Sequence, residues 1–314
     1  AFSTQALQGL SASQLAALSD TQIAALATRE IAALVPQKFN GLSNSQLQAL
    51  TTTQAAALRS AQLAALSNSQ LNAFETADIR VLSTQALIGL TSNQIASLST
   101  TQFTAFNTRQ ISALNTLQVS ALNENHITAM SSAQIAALRT AQVAALSASQ
   151  LQAVEADDVA AFTTQQLGVI RGDRLNALSD AQLQGLSTVQ ASTLRSAQLA
   201  ALSVDQLNAL ETRDVAVLTT QAIAGLSNTQ ISNLSDTQLN ALTTRQISGL
   251  KTDHIAALSA SQITALTSNQ VAALRTVQMA TLSATQAAAI ETQDMAQLAS
   301  QQIVALTTTA IAAL

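Results

Sequence analysis

Residues 58–82 read LRSAQLAALSNSQLNAFETADIRVL. An apolar residue returns at Leu58, Leu66, Phe74 and Leu82, a polar residue follows at Arg59, Ser67 and Glu75, and Gln62, Gln70 and Asp78 stand three places further on. A spacing of eight fits neither the 3.6-residue period of a helix nor the two-residue period of a strand. Followed outward, the register never slips: all forty positions spaced by eight from Phe2 to Leu314 are apolar. The next position is Ser, Thr or Asn in 26 of 39 octads and the position three beyond it is Gln in 26 of 39, so the working phrase is L-[ST]-x-x-Q-[ILV]-x-A.

That phrase is a helix start. A Ser or Thr oxygen accepts from the backbone N–H three residues on, and the Gln there reaches back to the N–H of the cap residue. The apolar residue before the cap and the Ile or Leu after the Gln add a hydrophobic staple, as in Leu10-Ser11-Ala12-Ser13-Gln14-Leu15. Pro36, the only proline, falls directly after the cap position Val35, where its missing N–H costs nothing. One continuous helix is disfavoured by geometry, because eight residues advance the large side chain by about 80° and no seam forms.

The sequence therefore predicts an all-α fold, an α-solenoid of about forty two-turn helices, one per octad. Helices so short are unstable alone, below the ~12–15 residues at which isolated helices become marginal, so stacking must hold them. Three positions are expected to face inward: the large residue, the Ile or Leu five later, and the Ala or Gly before the next large residue, such as Ala17 or Gly41. A longer period lies over the octads. Arg and Glu take cap positions two octads apart at Arg59 and Glu75, Arg139 and Glu155, Arg195 and Glu211, Arg275 and Glu291, and the couple recurs after ten, seven and ten octads. The chain then reads as one continuous array of ten-octad modules: 2–73 in part, 74–153, a shortened 154–209, 210–289, and 290–314 in part. The shortened copy lacks three whole octads. Octads two apart are expected to approach and to pair these four Arg–Glu couples.

Composition narrows function. With no Cys, 2% aromatic and 10% charged residues, disulfide and thiolate chemistry are absent, and scattered charges with a net of −4 give no footprint for nucleic acid. Mean hydropathy is +0.26, yet Ser, Thr, Asn and Gln interrupt every apolar run before the ~20 residues of a membrane span. His126 and His254 occupy the Gln slot and read as substituted cap partners, without a companion at ligand spacing. Glu155, Asp157 and Asp158 read as first-turn acids at a helix N-terminus. Arg171-Gly172-Asp173 spells the tripeptide associated with integrin adhesion, but in this register Arg171 is a cap and Gly172 a helical start. No catalytic motif, cofactor site or metal site emerges, and the expectation is a non-enzyme.

Written as L-[ST]-x-x-Q-[ILV]-x-A, the octad resembles repeat tracts of very large secreted or surface-exposed proteobacterial proteins, often labelled adhesin, haemagglutinin or haem-utilisation proteins. The resemblance covers essentially the whole chain and carries no functional residues. It implies an extracellular or cell-surface stalk or spacer, with the rest of a longer parent chain as its partner and VPQKFNGL and IRGDRLNA as bends or contact points. Ala1 and Leu314 both fall inside the repeat, as expected of a segment of something longer. The competing expectation is a repetitive ligand-binding surface for glycan, ice or a protein partner.

Overall fold

The computed structural model describes residues 3–314, and among these the regular elements are thirty-eight α-helices and one 3-10 helix, one for each octad. The fold is an all-α solenoid, as the octad predicts. Each helix holds four to six residues, shorter than the two turns expected. The cap residue is always outside the helix, and the large residue before it often is too: Leu66 has φ −68°, ψ 144° and Ser67 has φ −71°, ψ 162°. Two successive extended residues swing the chain away from the old helix axis before the next begins.

The hydrogen bonds show the same break. Leu66 N–H bonds Leu63 O, three residues back, at 3.1 Å, and Ser67 N–H leaves the backbone for Gln70 Oε1 at 2.9 Å. The i-to-i−4 ladder of a continuous helix is therefore interrupted at the octad boundary. No described residue has a positive φ, so each reversal is made without a left-handed glycine. Many helices elsewhere end on one. Pro36 opens the helix Pro36–Phe39 at its first turn, as the register requires. VPQKFNGL and IRGDRLNA fold as ordinary short helices, Pro36–Phe39 and Gly172–Leu175.

The chain forms two compact units, one ending at Val154 and the other beginning at Glu155. In the first unit, helices Pro36–Phe39, Ser60–Ala65, Thr84–Leu87 and Thr108–Ala113 pack in succession. In the second, Thr220–Ile223, Thr244–Gly249, Ser268–Ala272 and Thr292–Met295 do the same. Within each unit these helices thus rest on the helix three octads away, and one turn of either coil is three octads. The three octads missing from the shortened copy amount to one such turn.

Two of the three expected inward positions are buried: Leu58, Leu63 and Leu66 are 3%, 0% and 5% exposed. The third is corrected. The Ala or Gly before the large residue sits at the rim, with Ala17 exposed and Gly41 half-buried, and the buried third position is the Gln slot. Small size still matters at the rim. A Cβ on Gly89 would meet the Ser60 carbonyl oxygen and lie 2.6 Å from Ser60 Cα, so Gly89 lets the helices of 60–65 and 84–87 close up.

Candidate functional site

The most repeated polar geometry in the molecule is built on the glutamine of each octad. In the helix Thr116–Ser120, Asn115 Oδ1 accepts from Gln118 N–H at 2.9 Å and Gln118 Oε1 accepts from Asn115 N–H at 2.9 Å. That is the capping box the sequence predicts. The amide nitrogen adds what the sequence reading missed: Gln118 Nε2 donates to Leu87 O and Leu90 O, both at 2.8 Å. These carbonyls lie 31 and 28 residues back, at the C-terminal end of a short helix in the preceding turn. The same pair of bonds recurs at Gln94, Gln142, Gln198, Gln278 and Gln286.

A helix leaves N–H groups unpaired at its start and carbonyls unpaired at its end, and a helix of four to six residues is nearly all ends. One primary amide accepts from the start of its own helix and donates to the end of another, so it joins turn to turn while removing orphaned groups. These glutamines are buried, Gln142 and Gln278 at 0% exposed. Buried and fully bonded, they form a polar ladder inside the apolar core, where an unbonded polar group would be costly.

Other residues in the slot keep as much of this pattern as their chemistry allows. His126 Nδ1 accepts from Asn123 N–H at 3.3 Å and Nε2 faces Leu98 O at 2.8 Å; His254 repeats the arrangement with Lys251 N–H at 3.4 Å and Leu226 O at 3.0 Å. Serving both partners requires a neutral ring with its hydrogen on Nε2. Burial, helped by the Lys251 charge, holds His254 below the usual imidazole range. Both histidines are therefore substituted cap partners that also retain the bracket to the preceding turn.

Asp78, Asp214 and Asp294 also occupy the slot, in octads capped by Glu75, Glu211 and Glu291. They are 2%, 0% and 2% exposed, and no capping box forms in their helices. Burial, with some help from Glu75, pushes Asp78 up to about 6 although its bond to the Glu75 backbone opposes the rise. Burial also raises Asp214; the Thr188 hydroxyl and the Arg213 guanidinium favour the charged form, without a hydrogen bond of normal geometry to either carboxylate oxygen. Glu155 caps the single 3-10 helix, Ala156–Ala161, with Asp157 and Asp158 in its first turn. Asp158 holds the slot there and is only half-buried.

The cap residues expected to pair across two octads have other surroundings, because stacking runs at three octads. Arg59 and Glu75 cap helices in adjacent stacks. Arg139 and Arg275 donate from Nη2 to Leu114 O and Leu250 O at 2.9 and 3.1 Å, 25 residues back. Glu211 meets Arg213 in its own octad, away from Arg195, and Glu291 accepts from Gln293 at 2.6 Å. Arg171 Nε lies 3.2 Å from Asp173 Oδ1, with both side chains exposed. Between them, a Cβ on Gly172 would come within 2.6 Å of Ala197 O, so close packing against the helix Ser196–Leu199 accounts for that glycine.

Surface depressions are open grooves between successive turns, such as the one lined by Ser120, Asn123, Glu124, Ser147 and Gln150. Among the described residues no group of three or more His, Cys, Asp or Glu is placed to hold a metal ion, and no helix is long and apolar enough to cross a membrane. No curated protein sequence matches the chain. A family model described as the ALTTAQ repeat matches residues 71–108, 207–244 and 247–284, so this is a repeat-containing protein.

Proposed function

We propose that the chain is a non-catalytic structural segment, a stalk or spacer of a larger secreted or cell-surface protein, in which the number of turns sets reach. One observation carries this reading: the repeated polar groups are consumed internally. The cap hydroxyl of Ser67 accepts from Gln70 N–H at 3.2 Å, while the Gln70 amide bonds Ser67 N–H and the carbonyls of Asn40 and Leu42. Hydroxyls held this way are poorly presented to a glycan or to ice, which weighs against the repetitive binding surface. The extracellular setting rests on the octad's resemblance to surface-protein repeats.

The test is length against turn number. Inserting one, two or three extra copies of residues 227–250 between fluorescent labels in the second unit is expected to lengthen the separation by ~8–10 Å per turn, the usual spacing of packed helices. The parent chain is expected to show no saturable signal on a glycan array. Saturable binding, or a separation indifferent to the insertions, would reject the spacer reading.

A further inference from the structure

We propose that Asp78 and Asp214 are pH-set weak rungs, each joining its turn to the preceding one only while its carboxyl carries a proton. The slot makes two demands, an acceptor toward the cap N–H and a donor toward carbonyls of the turn before. A primary amide meets both, and so does the neutral imidazole of His126 or His254. A protonated carboxyl has one O–H to donate and can still accept; a carboxylate only accepts. The register that takes Gln70 to Leu42 O and Gln94 to Leu66 O, 28 residues back, sets Asp78 opposite Leu50 and Asp214 opposite Leu186. A charged carboxylate there faces carbonyl oxygen, with no donor to bridge the two.

The surroundings supply little to hold the charge. Asp214 is fully buried with no hydrogen bond of normal geometry to either carboxylate oxygen, and burial outweighs the Thr188 hydroxyl and the Arg213 guanidinium that favour its charge. Against Asp78 pack the helices Thr52–Ala56 and Thr100–Thr104, which hold no charged residue; its own octad carries Glu75 and Arg80. Asp214 sees Glu211 and Arg213 from its own octad, none from Thr188–Ala191 and Asp236 from Asp236–Ala241.

The direction follows from linkage. Asp78 titrates near 6 in the folded chain against 3.8 for the ordinary carboxyl of an unfolded one. Between those values the folded chain keeps a proton that the unfolded chain has released, so stability falls as pH rises and the loss is complete above about 6. His254 slopes the other way. Its lowered value means the unfolded chain takes up protons below 6.5 that the folded ring refuses, so stability falls as pH drops below that point.

The experiment removes the opposing slope and then the carboxyls. In the full chain carrying His126→Gln and His254→Gln, urea unfolding is compared at pH 4 and pH 7.5 with and without Asp78→Asn and Asp214→Asn. The Asn chain is expected to unfold at higher urea at pH 7.5 and at the same urea at pH 4. Opening of the Asp78 and Asp214 turns in the Asp chain is expected to rise on the order of tenfold between the two pH values, after allowance for screening. A midpoint difference of equal size at both pH values, or none at pH 7.5, would overturn the proposal. Should the Asn chain fail to fold, the corresponding Asp→Gln chain restores the majority residue, and the same comparison applies.

Discussion

Gln118→Leu is expected to open the turn that Gln118 closes, at a cost of about 2–6 kcal/mol, because two backbone groups lose their partner and each buried orphan costs about 1–3 kcal/mol. Those groups are Asn115 N–H and Leu90 O, whereas Leu87 O keeps its bond from Leu90 N–H. Leucine fills a similar volume and is more apolar, so a core that needed only hydrophobic bulk would accept it. Stability in a stacked array is local, so the substitution acts most strongly on its own turn. The informative readout is native-state hydrogen exchange at Asn115 and its helix, where protection is expected to collapse while turns well removed in the first unit keep theirs. Gln118→His keeps an acceptor and a donor in the geometry already used by His126 and His254, and is expected to cost less than half as much.

A deletion tests the register still more severely. Removing residues 227–250, three octads within the second unit, takes out one turn and brings Leu226 next to Lys251, so every later Gln still finds a helix end at its accustomed spacing in the turn before. Helical content per residue is expected to stay unchanged, with a small shift in stability. Removing only 228–231 places every following large residue and every following Gln half an octad out of phase. Circular dichroism is expected to show loss of helix well beyond the four residues removed, since short helices without stacking partners do not persist.

Much of this was legible from residues 58–82 alone. The cap, the staple and one helix per octad all follow from local backbone chemistry, which acts within five or six residues and so is written contiguously. The three-octad turn is a tertiary fact. It depends on how sharply two extended residues such as Leu66 and Ser67 redirect the chain, and no residue identity reports that angle. The expected Arg59–Glu75 approach assumed a two-octad interval for want of it.

The donor half of the glutamine bracket left a trace that could have been read. A capping box is satisfied by Glu as well as by Gln. Glu stands in the slot once, at Glu30, where Oε2 accepts from Ala27 N–H at 2.8 Å. Gln stands there in 26 of 39 octads, while the cap residue ranges over Ser, Thr, Asn, Arg, Glu, Lys, Ala and Val. A preference for the amide over the acid makes sense only if the slot must donate, and a donor in the core implies carbonyls facing it from another part of the chain. The acidic octads then stand out as departures from that demand.

The most direct test of the three-octad coil is one distance. The chain has no cysteine, so Thr53→Cys with Thr101→Cys gives two unique label sites at exposed, equivalent helix positions six octads apart in the first unit. Two turns of helices stacked ~10 Å apart place the labels ~20 Å apart, measurable by pulsed electron–electron double resonance. A two-octad coil would complete three turns over the same stretch and give ~30 Å, and an uninterrupted helix would give ~72 Å. A distribution centred at ~20 Å is the expected result; one centred at ~30 Å or beyond would contradict the coil and the glutamine brackets that depend on it.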